Sequence, residues 1–381
     1  MAVYLDNNAT TALDEKVLQT MLPYMGQVTG NPSSLHRFGR LQKDAIEQAR
    51  ESVAQLAGAR AEQVIFTSGG TESNNLLLNG FSKRNKGSRI IISAIEHMSL
   101  LEPAQQLSSN VDIVPADKNG CIQLTAVESV MTKQASLLSV MTANNETGVI
   151  QDLSSLINFA EKQNCFFHTD ASQAAGKIAL NFVESGVHAM TLSAHKLYGP
   201  IGVGALILDK RLAISKTQFG GVQEKNMRAG TENVPAIAGF GKAAELAREN
   251  LQTTSSHLRI LRNALEKGLD ELKTVSIFAQ QAERLPNTVQ FGVENFDGET
   301  MLMQLDRKAI AVSSGSACTS GKTEASHVLK AMSVSDALAN SAIRVSFGKN
   351  NTMSDVDALL TALRDIIEIN QQSPVMAAAT V

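Results

Sequence analysis

Between about residues 60 and 210, short apolar runs rich in β-branched residues alternate with amphipathic stretches. The stretch LSSLINFAEKQ at 153–163 has the period of a surface helix, whereas the apolar runs have the length of buried strands. This alternation predicts an α/β domain built on a mostly parallel central sheet. The predicted strands lie at 63–67, 89–93, 111–115, 136–141, 165–170, 189–193 and 204–209.

After Pro235 the pattern changes to a long helical region that reaches about residue 273. Two further strands, at 288–292 and 343–347, and a last helix near 354–369 follow it. This part of the chain predicts a smaller α+β domain. We expect a large domain at 16–250, and a small domain in which residues 1–15 join residues 251–381.

Composition limits the class of protein and its partners. The 381 residues are 43% hydrophobic and 19% charged, with a net charge of −3, which argues against nucleic acid or an anionic membrane surface as the main partner. No apolar run approaches the ~20 residues that span a bilayer, and MAVYLDNNATT does not resemble a signal peptide. The cysteines at 121, 165 and 318 are far apart, so we expect no local metal site and a reducing compartment, by default the cytoplasm.

Three segments carry candidate chemistry, and the first is VIFTSGGTESNN at 64–75. An apolar strand runs into two glycines and then into a helix. Glycines let the backbone approach a ligand closely, and the N-terminus of a helix attracts anions. Thr71 is a candidate cap for this helix and a candidate hydroxyl donor to a phosphate. An ordinary strand–turn–helix connection is the alternative.

The second segment is CFFHTDASQAAGK at 165–177, in which Asp170 ends an apolar strand. Ligands of open α/β sheets bind at that edge, and a buried carboxylate needs a partner. A protonated heterocyclic nitrogen meets that need, and Gln173 is placed to bond a neighbouring ring substituent. The alternative is an aspartate that caps the next helix.

The third segment is TLSAHKLYGPIGVGALIL at 191–208, where Lys196 lies between two apolar strands. Burial lowers the pKa of a lysine, which suits an amine that forms Schiff bases, although most lysines are surface charges. The three segments together match pyridoxal phosphate. The helix start would anchor its phosphate, the lysine its aldehyde, and the aspartate its protonated ring nitrogen.

The chain resembles the cysteine desulfurases of the NifS/IscS type, which belong to the class V aminotransferase superfamily and have fold type I of the pyridoxal-phosphate enzymes. The resemblance covers nearly the whole chain in the family's order. The matching motifs are YLDNNATT (4–11), GNPSSLHRFG (30–39), FTSGGTESNN (66–75), ANNETGVIQD (143–152), HTDASQAAGK (168–177), SAHKLYGP (193–200), RAGTEN (228–233), SSGSACTSG (313–321) and SAIRVSFG (341–348).

The resemblance implies a role for each matching residue. Lys196 would be the Schiff-base lysine, Asp170 would pair with the pyridine nitrogen and Gln173 with the ring hydroxyl. His97 would stack on the ring and help to move protons. The phosphate would be held by Gly70, Thr71, Ser193, His195 and, from the neighbouring subunit, Thr231. That last contact implies a homodimer with shared active sites.

For the substrate, the resemblance implies that Arg344 takes the carboxylate of L-cysteine in a planar fork. Asn145 would assist near the ring hydroxyl and this carboxylate, although Asn144 beside it is an open alternative. Cys318 would attack the substrate sulfur, keep it as a persulfide and so release L-alanine. Its small, polar neighbours favour this role over that of a buried structural cysteine.

Spacing and departures from the family pattern bear on the partner. Cys318 precedes Arg344 by 26 residues, which resembles the long-loop group that passes sulfur directly to a scaffold protein. We therefore expect a sulfur-acceptor or iron–sulfur scaffold protein as the partner. Lys322 and Ala325 replace a Ser-Leu-Glu-Pro-like stretch, and Lys349 stands where arginine is usual. A selenocysteine lyase, another class V aminotransferase and a non-catalytic sulfur-carrier adaptor are the alternatives.

Overall fold

A computed structural model of the chain describes residues 2–107, 111–131, 135–314 and 325–372. Its centre is a seven-stranded sheet. After the short β1 (Val3–Tyr4), the strands of this sheet are β2 (Val64–Thr67), β3 (Arg89–Ser93), β4 (Val111–Val114), β5 (Ala135–Ser139), β6 (Phe166–Asp170), β7 (Ala189–Ser193) and β8 (Gly204–Leu208). All seven strands predicted from the apolar runs are present, within two residues of their predicted bounds.

The sheet has the order β2-β8-β7-β6-β5-β3-β4. The strands are parallel except for β8, which is antiparallel to both of its neighbours. The mixed α/β architecture with a mostly parallel central sheet is therefore confirmed. Because β6 and β7 are parallel neighbours, their last residues, Asp170 and Ser193, lie at the same edge of the sheet.

The first nine helices accompany the large sheet. They are α1 (Glu15–Leu22), α2 (Arg37–Ala57), α3 (Gly70–Arg84), α4 (Met98–Gln106), α5 (Leu124–Val130), α6 (Leu153–Lys162), α7 (Phe182–Ser185), α8 (Gln223–Asn226) and α9 (Val234–Glu249). The apolar face of α2 is buried and includes Ile46 and Val53, and α2 ends at Gly58, whose left-handed conformation (φ +61°) caps the helix.

The predicted long helical region after Pro235 is two helices. The chain leaves α9 at Asn250 and begins α10 (Leu251–Asp270) at once, so the expected boundary near 250 coincides with this break. Beyond it lie β9 (Val275–Ile277), β10 (Thr288–Val293), α11 (Gly298–Arg307), β11 (Ile310–Ala311), α12 (His327–Ala331), α13 (Asp336–Asn340), β12 (Ile343–Ser346) and α14 (Met353–Gln372).

Two small sheets organise this part of the chain. The antiparallel sheet has the order β12-β10-β9, and β1 pairs in parallel with β11. A separate apolar cluster joins Leu5 to residues of α10, β10, β12 and α14. This is the grouping that a small domain built from 1–15 and 251–381 requires, and the division itself stays a prediction. The strands β1, β9 and β11, which have two or three residues, were not predicted.

Candidate active site

A cleft of about 520 Å³ opens at the edge of the large sheet where β6 and β7 end. Its volume is in the usual range for small-molecule sites. Ten of the residues selected from the sequence line it, namely Gly70, Thr71, His97, Asn145, Asp170, Gln173, Ser193, His195, Lys196 and Arg344. Thr231 is exposed and does not line this cleft, and Cys318 lies outside the described residues.

The glycine turn before α3 forms one end of the cleft. Gly69 is the N-cap residue and has φ +155°, a conformation that only glycine adopts readily. Thr71 is the second residue of the helix, so the prediction that it caps α3 was wrong. The turn lies directly on β8, because a Cβ atom on Gly204 would stand 2.7 Å from Gly69 Cα. This places the backbone N–H groups of the first turn at the cleft, where an anion would be favoured.

Asp170 ends β6 as a buried carboxylate with two partners. Its Oδ1 accepts a hydrogen bond of 2.9 Å from the backbone N–H of Ser172, and its Oδ2 accepts one of 2.8 Å from Asn74 Nδ2 on α3. No helix begins at Asp170, so the alternative of a helix cap does not hold. Asn74 was not selected from the sequence, because a buried asparagine inside a helix carries no signal of its own.

Lys196 ends a short 3-10 turn that follows β7, and its side chain is half-buried in the cleft. Its Nζ donates hydrogen bonds of 2.7 Å to the carbonyl oxygens of Asn8 and Ala9. Burial, with a further contribution from the Arg344 charge, lowers the pKa of Lys196 to about 8. The expectation of a desolvated amine at this position agrees with its surroundings.

His195, next to the lysine, is neutral at physiological pH. Burial and the neighbouring Lys196 charge lower its pKa to about 4. Its Nδ1 lies 3.1 Å from the hydroxyl of Thr10, which shares the N-terminal segment with Asn8. A neutral imidazole at this place can bind a phosphate only by donating a hydrogen bond from its N–H group.

Gln173 is held in one orientation by a lysine that the sequence did not single out. Its Oε1 accepts a hydrogen bond of 3.0 Å from Nζ of the buried Lys177, and its Nε2 donates one of 2.9 Å to the Asn8 carbonyl. Burial lowers the pKa of Lys177 to about 7. Because Lys177 occupies Oε1, the group that Gln173 can offer to a ligand in the cleft is the remaining N–H donor of Nε2.

Arg344 comes from β12 and reaches the cleft as a buried cation. Its NH2 group forms an ion pair of 2.7 Å with Asp6, and its NH1 group donates to the Asn145 carbonyl at 3.2 Å. The Nε atom has no hydrogen-bond partner among the described residues. Asp6 and Asn8 both belong to YLDNNATT, a motif whose individual residues received no role from the sequence.

The two neighbouring asparagines, Asn144 and Asn145, have different surroundings. Asn145 lines the cleft, whereas the side chain of Asn144 is fully buried and accepts hydrogen bonds from the N–H groups of Glu146 and Thr147. Of the two, only Asn145 is placed to meet a ligand in this cleft.

Residues on either side of the segment 315–324 also line the cleft. Ser313 exchanges two backbone hydrogen bonds with Arg344, and the Ser326 hydroxyl donates at 2.5 Å to Glu146, whose pKa is raised by burial. Ser313, Ser326 and His327 all line the cleft. The two flanks of the segment that carries Cys318 are therefore both anchored at the cleft.

Two further properties concern only the described part of the chain. Its His, Cys, Asp and Glu residues form no group of three or more that could hold a metal ion. None of its helices combines the length and apolar character needed to cross a bilayer.

Comparison with known proteins identifies the family. The family Aminotransferase class-V matches residues 3–359. The chain belongs to this family. It is 41% identical over 372 residues to a cysteine desulfurase IscS from Dictyoglomus turgidum, which covers 96% of this chain and 94% of that relative.

Solved structures of relatives agree. A NifS-like protein superposes with a TM-score of 0.91 at 36% identity, covering 97% of this chain and 100% of that one. SspA in complex with cysteine superposes with a TM-score of 0.80 at 29% identity, covering 92% of this chain and 100% of that one.

Proposed function

We propose that this protein is a pyridoxal-phosphate-dependent cysteine desulfurase. It converts L-cysteine to L-alanine and keeps the sulfur as a persulfide on Cys318, for transfer to an acceptor protein. The observation that carries the proposal is the meeting of a low-pKa lysine, a buried carboxylate and a helix N-terminus in one cleft. The curated relatives named cysteine desulfurase and the cysteine complex of a neighbour support the substrate.

The residues present fit pyridoxal phosphate. The N-terminus of α3, with Gly70 and Thr71, would hold the phosphate together with Ser193 and His195. Asp170 would hold the pyridine nitrogen, and the N–H side of Gln173 suits the ring hydroxyl. The bound cofactor supplies an electron sink for the pair of electrons left when a bond at the substrate Cα breaks.

Lys196 is suited to act on the cofactor aldehyde and on a proton. With a pKa of about 8, a substantial fraction of its amine is neutral near pH 7 to 8. A neutral amine is a nucleophile and a base, whereas a charged one is neither. We assign removal of the substrate Cα proton to Lys196 Nζ.

Arg344 would bind the carboxylate of L-cysteine. Its ion pair with Asp6 and its bond to the Asn145 carbonyl leave part of the guanidinium free to form a charge-assisted bond. Asn145 would act beside it.

The chemistry of the cysteines favours Cys318 as the acceptor of sulfur. The chain has three cysteines. Burial raises the pKa of Cys165 to about 12, and burial also raises the pKa of Cys121, so both thiols lose their proton less readily than a free cysteine does. Ser313 lines the cleft, and Cys318 follows it in the chain by five positions. Because a chain spans at most about 3.5 Å per residue, Cys318 cannot be far from the cleft.

We further propose a homodimer in which Thr231 reaches the phosphate in the partner's cleft, because Thr231 is exposed on its own subunit. Arg228, three positions before it, forms an ion pair of 3.0 Å with Glu72 on α3 of the same subunit. The widely spaced cysteines suit the cytoplasm. The sulfur acceptor is proposed to be an iron–sulfur scaffold or another sulfur-carrier protein.

Two substitutions test the function. We expect Lys196→Ala to abolish covalent attachment of the cofactor and all turnover. Cys318→Ala should bind the yellow cofactor normally but fail to release sulfide from L-cysteine with a reductant, whereas Cys121→Ala, the matched control, should keep wild-type activity. Full activity of Cys318→Ala would contradict the persulfide role, and a preference for L-selenocysteine would favour the lyase.

A further inference from the structure

His97 is held by its ring nitrogen Nδ1 in an unusual way. It is the N-cap residue of α4, and the backbone N–H of Ser99 donates to Nδ1 at 3.1 Å. A backbone N–H can only donate, so Nδ1 must be an acceptor. The neutral ring therefore carries its proton on Nε2.

A second donor reaches the same nitrogen. The Ser99 hydroxyl lies 2.8 Å from Nδ1 and itself accepts a hydrogen bond of 2.8 Å from Asn74 Nδ2. Since the other hydrogen of Asn74 Nδ2 goes to the Asp170 carboxylate, the orientation of the amide is fixed. The Ser99 hydroxyl must then turn its own hydrogen to His97. A chain of hydrogen bonds thus runs from Asp170 through Asn74 and Ser99 to His97.

The surroundings also disfavour a charged ring. Protonation of Nδ1 would break the cap of α4 and would point a hydrogen at the two Ser99 groups that donate to this nitrogen. The positive N-terminal end of α4 would also repel a positive charge on the ring. Among the charged and titratable groups that face the ring, Lys196 and His327 oppose its charge and Asp170 favours it. The net result, led by the loss of water around the ring, is a pKa below the usual value for histidine. A neutral histidine at a helix N-terminus acts as an electrophile in triosephosphate isomerase.

We propose that His97 acts in this cleft as a neutral hydrogen-bond donor through Nε2–H, and that Ser99 and Asn74 are the positioning residues that hold it in this form. His97 lines the cleft, and Nε2 makes no hydrogen bond to the described residues. It would donate to an anionic group of the substrate, a carboxylate or a thiolate, and it takes no proton from the substrate, which differs from the proton-moving role that the resemblance implies. The identity of that substrate rests on the proposed function, but the ring tautomer does not.

The tautomer is tested by nitrogen-15 NMR of the full-length, cofactor-loaded protein labelled in histidine, with the His97 signals assigned from a His97→Gln sample. We expect an unprotonated Nδ1 and a protonated Nε2 from pH 6 to 8. Ser99→Ala removes one donor to the Nδ1 lone pair and should raise the His97 pKa by about half a unit to one unit. Ser99→Thr, which keeps the hydroxyl, should restore the wild-type pKa. A proton on Nδ1, or an unchanged pKa in Ser99→Ala, would overturn the proposal.

Turnover of L-cysteine tests the donor role. Glutamine keeps an N–H donor but does not titrate, so His97→Gln should stay within about tenfold of wild type, while His97→Ala should lose about a hundredfold. Equal losses in both variants would refute the donor role. If the wild-type protein itself released no sulfide, the proposed function would fail, and the NMR result would still decide the tautomer.

Discussion

The ion pair between Arg50 and Glu224 provides a direct test of how this fold is held together. Glu224 begins a run of three residues, through Asn226, that are not glycine and have positive φ angles of 42°, 58° and 63°. Each such residue costs on the order of 1 kcal/mol or more, so the turn needs strong contacts to persist. The Glu224 carboxylate supplies them, because it accepts bonds of 2.7 and 2.9 Å from Arg50 and one of 2.7 Å from the Phe66 N–H.

Both side chains of the pair are almost fully buried, with 7% and 3% of their surface exposed. Breaking a buried pair by neutralising one partner costs about 3–5 kcal/mol. Glu224→Gln keeps one acceptor oxygen, so we expect a loss near the lower figure. An unfolding entropy of about 2.1 cal/mol/K per residue gives about 0.8 kcal/mol/K for 381 residues, so a loss of about 3 kcal/mol should lower the unfolding midpoint by about 4 °C.

The assay is thermal unfolding followed by circular dichroism, on cofactor-free and cofactor-loaded protein. Glu62→Gln is the matched control, because the Glu62–Arg60 pair is exposed and spans 3.9 Å, and such pairs contribute about 0–1 kcal/mol. If the midpoint of Glu224→Gln lay within about 2 °C of the control, the buried pair would not be what holds the left-handed turn.

Two other predictions concern the cofactor cleft. With a pKa of about 8, roughly a tenth of Lys196 is neutral at pH 7, against about one part in three thousand at the ordinary value. Absorbance should therefore show the rate of covalent pyridoxal phosphate attachment rising to about pH 8 and then levelling; a rise that continued beyond pH 10 would contradict this pKa. Gly204→Ala should weaken cofactor binding about tenfold or more in equilibrium dialysis, because its Cβ would displace the turn at Gly69. Gly26→Ala is the control, because no atom lies near its added Cβ, and it should bind the cofactor as wild type does. If Gly204→Ala bound the cofactor as tightly as Gly26→Ala, the close packing of Gly204 on Gly69 would not be needed for cofactor binding.

The sequence predicted the large sheet well because its strands, apart from the partly exposed edge strand β4, are buried on both faces and appear in the sequence as continuous apolar runs. Asp170 and Lys196 could be selected as candidate site residues for the same reason, because a charged residue at the end of an apolar run, or a few positions after it, is conspicuous in the sequence. The positions of these residues in one cleft follow from the parallel arrangement of β6 and β7.

The contacts that complete the cleft could not be predicted, because they join residues far apart in the chain. Arg344 and Asp6 are separated by 338 positions, and the bond between Asn74 and Asp170 crosses from a helix to a strand end. Ser99 looks like any serine in the first turn of a helix, and only its distance to His97 reveals its part. The cap of α3 was misassigned because Gly69 and Thr71 are both acceptable helix starts by residue type alone.

The contacts of the N-terminal segment determine when the active site can be completed during synthesis of the chain. Asn8, whose carbonyl receives both Lys196 and Gln173, is itself held by the hydroxyl of Ser346, 338 positions later. During synthesis the first of these residues leaves the ribosome long before the last. The nascent chain can therefore form the large sheet early, but its lysine acquires its final surroundings only when nearly the whole polypeptide has emerged. Contacts between residues so far apart in the chain also form slowly. A truncated chain that lacks the β12 region should contain Lys196 but not the surroundings that complete its site.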